Sequence, residues 1–304
     1  MQFSTKVAIT PPSHPISLHN RVAFIGSCFA EKIGQQMKQG GLPTLVNPFG
    51  VLYNPLSILQ ALTQSPMSDN LYFCDAAGVW HCWLTDSSFN ASSLDSCRAG
   101  ILAARGRLFE WNPDVVVITL GTNHYYQTQE LVVGNCHKQP SALFEEHVLD
   151  VQRVTVILTS ICQLFPHARI IFTISPYRYA KYGFHENQLA KSVLLLGVDA
   201  VQKARPEQVL YFPAYELLLD ELRDYRFYAE DMIHPSAQAV NYIWERFVQA
   251  FMDDETHRYF ADFEPIRRAL QHRPINPDSA ASEQFLSQTH QKLAVLQAKY
   301  GLED

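Results

Sequence analysis

Three short stretches of this chain hold residue types that can move a proton and carry an acyl group. The first is Gly26-Ser27-Cys28, which follows the apolar run Val22–Ile25 and opens a segment with Phe29, Ile33 and Met37 at helical spacing. A serine at a strand-to-helix turn stands beside unpaired backbone N–H groups and the positive end of the helix dipole, which stabilise an oxyanion forming there. Serine is also a favoured helix cap, so this stretch alone decides nothing. The second is Gly121-Thr122-Asn123, after the β-branched run Val115–Leu120. An asparagine amide at the end of a buried strand can donate to an oxyanion, a contact worth roughly 3–4 kcal/mol of barrier. Asparagine equally suits an ordinary turn that needs positive φ. The third is Asp231-Met232-Ile233-His234-Pro235. A carboxylate three residues before a histidine reaches Nδ1 across one turn and leaves Nε2 to take a serine proton. With 12 His and 30 acidic residues in the chain, such a spacing also arises by chance.

Cys28 is a rival nucleophile, since a thiol is intrinsically more reactive and a helix N-terminus lowers its pKa. Against it, the residue after a nucleophile turns inward to pack, and free cysteine is among the most buried residue types. Ser27 is therefore the expected nucleophile. Four further residues are candidates for substrate binding: His124 beside Asn123, Trp83 in the aromatic stretch Trp80-His81-Cys82-Trp83, His137, and Arg178 beyond the run Ile170–Ile174. Each has an ordinary structural alternative as a packing, loop or capping residue.

The elements that must position these residues alternate between two periods. Short apolar runs at Val22–Ile25, Leu45–Val46, Val115–Leu120, Ile170–Ile174 and Val209–Phe212 read as strands. Leu143–Leu164, Asn187–Lys203 and Ser236–Met252 read as helices between and after them. Strands separated by helices predict a parallel sheet with its ligand edge at the carboxyl ends of the strands. The stretches 71–98 and 124–140 break the alternation and read as insertions at the rim of the sheet. A catalytic domain over 1–254 and a helical C-terminal extension over 255–304 complete the expected organisation, with the apolar positions of Glu283–Tyr300 docking on the domain or on a second chain.

Composition bounds the rest. The 304 residues are 47% hydrophobic and 18% charged, enough for a sizeable core, and the net charge of -6 with no Lys/Arg run argues against a nucleic-acid partner. Pro11, Pro12 and Pro15 interrupt any apolar leader, and no run of about eighteen apolar residues predicts a membrane span. The six cysteines form no CxxC pair and no zinc spacing. A metal-free, cofactor-free protein with reduced thiols, in the cytoplasm, is the expectation.

In order and context, the three stretches resemble blocks I, III and V of the SGNH (GDSL-like) hydrolase superfamily. Gly50, in Asn47-Pro48-Phe49-Gly50, falls where that superfamily has its block II glycine, with Asn47 and Asn54 as alternatives. A closer similarity is to the GSCFA family. It is carried by Gly26-Ser27-Cys28-Phe29-Ala30, by NPFGVLYNP over 47–55, by NCHK over 135–138, by SPYR over 175–178 and by YRFYAEDMIHP over 225–235. Where the superfamily has Asp before its serine, this chain has Gly26. The resemblance implies a three-layer α/β/α flavodoxin-like fold with Ser27, His234 and Asp231 as catalytic residues. It also implies an oxyanion hole made by the N–H groups of Ser27 and Gly50 and the amide of Asn123. The implied activity is that of a serine esterase removing a small acyl group such as acetyl from a carbohydrate or similar ester. O-acyl transfer to a sugar, and carbohydrate binding without catalysis, are the alternatives.

Overall fold

The computed structural model describes residues 5–129, 131–272 and 279–302. In chain order, β1 (Val22–Gly26), α1 (Cys28–Gln39), β2 (Thr44–Val46) and α2 (Pro55–Thr63) are followed by a hairpin of β3 (Tyr72–Cys74) and β4 (Trp80–Cys82). Next come α3 (Leu94–Trp111), β5 (Val115–Leu120), β6 (His124–Thr128), β7 (Leu131–Val133), β8 (Glu145–Val148) and α4 (Val151–Leu164). The chain continues through β9 (Arg169–Ile174), α5 (Phe184–Ala204), β10 (Val209–Phe212), a short α6 (Ala214–Glu216), α7 (Ala237–Phe251), α8 (Asp254–Gln271) and α9 (Ala280–Lys299).

β5 is β-branched or aliphatic at all six positions and buried throughout, which is possible only where both faces of a strand are covered. The central sheet is parallel, with strands in the order β2-β1-β5-β9-β10. Numbered by themselves these strands run 2-1-3-4-5, the flavodoxin-like order, and the direction of winding reverses between β1 and β5. Ser27 and Asn123 follow the two strands that flank this switch point. Alternate side chains feed two cores. Ala23, Ile25, Val116, Ile118, Ile170 and Phe172 pack with α2, α4 and α5 on one face. Val22, Phe24, Val115, Val117 and Ile171 pack with α1 and α7 on the other. Each fully buried aliphatic side chain contributes about 1.5–3 kcal/mol. The three-layer α/β/α sheet is thus as expected, and α8 and α9 add Tyr259, Phe263, Ile266 and Leu296 to the α1/α7 face.

The helix expected over Asn187–Lys203 runs Phe184–Ala204, other ends shift by a residue, and three boundaries differ by more. The helix expected from Leu143 begins at Val151, because the Asp150 side chain accepts the Arg153 N–H at 2.7 Å and Glu145–Val148 pairs with β6 instead. The second rim insertion is a three-stranded antiparallel sheet, β7-β6-β8, and so runs on to Val148. The first ends before Leu94, where Ser93 caps α3 by accepting the Ser96 N–H at 3.1 Å.

Candidate active site

Gly26 sets the turn that carries Ser27. Its φ is +131°, and a Cβ there would lie 2.2 Å from the Thr119 carbonyl oxygen, so only glycine fits between β1 and β5. Ser27 then caps α1, its Oγ accepting the Phe29 N–H at 3.3 Å, and is almost fully buried at 1% exposure. Cys28 is the more open of the two, contrary to the expectation that it packs inward. Its thiol is nonetheless disfavoured as a thiolate, because burial raises its pKa more than nearby Lys32 lowers it.

The oxyanion donors expected from the resemblance are partly spent. The Ser27 N–H donates to Thr119 O at 3.1 Å and the Gly50 N–H to Asn47 O at 2.8 Å. Gly50 instead makes room: at φ +77° it lies against the Asp86 carboxylate, which accepts the Val51 N–H at 3.0 Å. Asn54 caps α2, its Oδ1 and Nδ2 both bonded to Ser57. The side-chain amides of Asn123 and Asn47 keep free donors. Asn123 gives one Nδ2 hydrogen to Leu149 O at 2.8 Å and retains the other. Asn47, at φ +40°, accepts the Gly26 N–H on Oδ1 at 2.9 Å, while its buried Nδ2 has no partner among the described residues.

Asp231 and His234 form the expected pair. Asp231 Oδ2 lies 2.5 Å from His234 Nδ1, and Oδ1 accepts the N–H groups of His234 and Ile233 at 2.9 and 3.0 Å. These bonds, led by the His234 and Ile233 N–H groups and followed by the imidazole, hold the carboxyl down at about 2. The turn requires Met232 at φ +59°, a strained position for a side-chain-bearing residue. Arg178 compensates: its backbone N–H donates to Ile233 O at 3.0 Å and its guanidinium to Met232 O at 3.1 Å. The guanidinium also sits 4.1 Å from the Phe184 ring centroid and 5.1 Å from that of Tyr228. Arg178, a candidate substrate residue in the sequence, is therefore placed as a pin of the acid–histidine loop. Tyr177 beside it meets the His234 ring edge to face, centroids 4.5 Å apart. Among the described residues no hydrogen bond joins His234 to Ser27.

The other candidates form separate clusters. His124 Nδ1 is 2.8 Å from Glu146 and its ring stacks on Tyr182 at 4.0 Å. Trp83 and His137 pack with Phe73 and His81 against the β3–β4 hairpin, where His137 Nε2 meets Cys82 O at 2.8 Å. Burial lowers the pKa of His137. Lys191 is a buried residue that sequence reasoning misses. It lies among Asn187, Ala190, Leu194 and Val198 on the buried stripe of α5, and a lysine on an apolar stripe was the available signal. All six cysteines are free. Among the described residues no cluster of three or more His, Cys, Asp or Glu could hold a metal, and no helix is long and apolar enough to cross a membrane.

The model of the GSCFA family matches residues 21–247, and that of the GSCFA domain protein, C-terminal domain, matches residues 263–303. No curated protein matches in sequence. Among solved structures, the chain is similar to the Clostridium thermocellum family 3 carbohydrate esterase at 12% identity and a TM-score of 0.39, over 84% of this chain and 100% of that one. It is also similar to an acetyl xylan esterase from the rumen bacterium Butyrivibrio proteoclasticus at 12% identity and a TM-score of 0.40, over 81% of this chain and 66% of that one.

Proposed function

The chain belongs to the GSCFA family, and from that premise we propose that it is a serine esterase working through an acyl-Ser27 intermediate. The observation that carries the reading is the Asp231–His234 pair, held at 2.5 Å with the carboxylate fixed by two further N–H groups. This geometry fixes the tautomer with a hydrogen on Nδ1 and a lone pair on Nε2. His234 Nε2 takes the Ser27 proton as Oγ bonds to the ester carbonyl carbon. The free amide hydrogens of Asn47 and Asn123 and the N-terminus of α1 are the donors for the oxyanion. His234 returns the proton to the leaving alkoxide, and a water then gives its proton to Nε2 as it attacks the acyl-serine. Deacylation releases the acid and restores the Ser27 hydroxyl. Because Ser27 is buried, substrate entry has to open the cleft and bring Oγ and Nε2 together.

A small acyl group on a carbohydrate is the proposed substrate class. The resemblance to SGNH hydrolases supports it, as does the row of half-buried rings, Tyr177, Tyr179 and Tyr182, running from His234 towards His124. The test is hydrolysis of p-nitrophenyl acetate and of a peracetylated sugar by wild type, Ser27→Ala, Cys28→Ala and His234→Ala. Loss in the serine and histidine variants alone supports the reading. Loss in Cys28→Ala with activity in Ser27→Ala overturns it in favour of the thiol. Wild type that deacylates only when a sugar hydroxyl is supplied makes the enzyme a transferase, and binding to sugar without turnover makes it a lectin-like protein.

A further inference from the structure

Among the described residues Lys191 is the one Lys or Arg that is buried, at 1% exposure, and no carboxylate lies within ion-pair distance of it. An ammonium kept out of water without a counter-charge is expensive. Its hydrogen bonds are two backbone carbonyls, Gly121 O at 2.7 Å and Ser175 O at 2.8 Å. These are the first residues beyond β5 and β9, at the edge of the sheet that carries the site. The charged and titratable groups facing the ammonium are Tyr179 and Tyr215, whose ring centroids lie 5.4 and 5.5 Å away, and the Cys28 thiol within electrostatic reach.

The same two turns are bonded onward in both directions. Gly121 and Thr122 give their N–H groups to Tyr53 O at 2.7 and 3.1 Å, and one residue earlier Leu52 N–H reaches Gly26 O at 2.9 Å, next to Ser27. From Ser175, three residues lead to Arg178, which pins the Asp231–His234 loop. β5 and β9 pair directly up to Leu120 and Ile174, and the Ser175 N–H reaches Leu120 O at 2.8 Å; beyond that last rung Lys191 is a further side-chain link between the half of the edge that bears Ser27 and Asn123 and the half that bears His234.

We infer that Lys191 is a positioning residue of the Ser27 site: its charged amine clamps the β5 and β9 turns in register and places an uncompensated positive charge beneath the oxyanion. The inference rests on the serine reading above. A neutral amide could bridge the two carbonyls but supplies no charge, and a thioether supplies neither. Burial brings the Lys191 amine down to about 7, so the charge is present below that pH and lost above it.

The experiment measures labelling of Ser27 by a fluorophosphonate, and p-nitrophenyl acetate hydrolysis, for wild type, Lys191→Met and Lys191→Gln from pH about 5.5 to about 9.5. Circular dichroism checks that each is folded. We expect Lys191→Met to lose at least about tenfold in labelling rate and kcat with KM little changed, and Lys191→Gln to recover only part of that. Wild type should decline on the alkaline side with a midpoint near 7, and both variants should lack that decline. A folded variant with the wild-type rate and profile overturns the inference. If neither variant folds, a wild-type rate that holds level to the top of the range overturns it. A wild type that neither labels nor turns over sinks the serine reading itself, which is a different result.

Discussion

Two imidazoles at the ligand edge of the sheet each hold a carboxylate at Nδ1, and their surroundings suit them to different work. His234 takes its partner from three residues away in the same turn, at 2.5 Å, and about a third of its side chain remains exposed. Its Nε2 has no partner among the described residues. His124 takes Glu146 from the neighbouring strand at 2.8 Å and is 7% exposed. Its ring face is covered by Tyr182, and its Nε2 looks towards Glu186 at 3.7 Å. A general base needs an open Nε2 that can reach the reacting proton. An imidazole bracketed by two carboxylates and stacked on a ring is a fixture of the wall. A carboxylate at Nδ1 is therefore not enough to identify a base; what the other nitrogen faces decides it.

The largest expected effect separates the two histidines directly. His234→Ala and Ser27→Ala should each lower kcat for p-nitrophenyl acetate by about 10⁴ or more, whereas His124→Ala should stay within about tenfold of wild type. Steady-state kinetics on folded proteins checks this. Equal loss at His124 and His234 would break the comparison, since burial and Glu186 would then not have disqualified His124.

The carboxylates come next. Asp231→Asn removes the acceptor that fixes the His234 tautomer and should lower kcat by about 10²–10⁴, while Glu146→Gln should cost less than about tenfold. Stability gives a second reading of Asp231. Its pKa is lowered in the fold to about 2. The stabilisation it provides is therefore fully present above the ordinary carboxylate range and is lost as pH falls through about 2. Any Tm advantage of wild type over Asp231→Asn should persist down to pH about 4 and close towards pH 2. An advantage already lost at pH about 4 would mean that the fold does not hold the Asp231 carboxyl below its ordinary range.

Local signals made much of this edge readable from the sequence. The β-branched and aliphatic run Val115–Leu120 reads as a covered strand, Gly26-Ser27 marks a turn from strand to helix, and Asp231 reaches His234 within one turn. What escaped depends on residues far apart in the chain. Nothing near Leu143 announces that Glu145–Val148 pairs with β6, so the apolar pattern reads as helix from Leu143 although α4 begins at Val151. Whether the Gly50 N–H is free depends on how the loop closes on Asn47. Arg178 looked like a ligand for substrate because its partners, Met232 and Ile233, lie more than fifty residues away. Lys191 escapes for the same reason, since its acceptors lie in the turns after β5 and β9, far from it in the chain.

The smallest effects should come from what holds each histidine in place. Arg178→Lys keeps the charge but loses the planar group that reaches Met232 O and lies over Phe184. The strained Met232 turn would relax, the Asp231–His234 pair would sample other geometries, and kcat should fall about tenfold with KM nearly unchanged. Tyr182→Leu uncovers His124 and breaks the bond between the Tyr182 and Tyr126 hydroxyls. It should cost about 1 kcal/mol of stability and less than about twofold in kcat for the small ester. A thermal melt beside the kinetics separates the two, because on the proposed mechanism Arg178 acts on the loop that supplies the base while Tyr182 only packs on His124. The reverse pattern, with Tyr182→Leu losing rate and Arg178→Lys losing only stability, would move the reacting proton to the His124 side of the cleft.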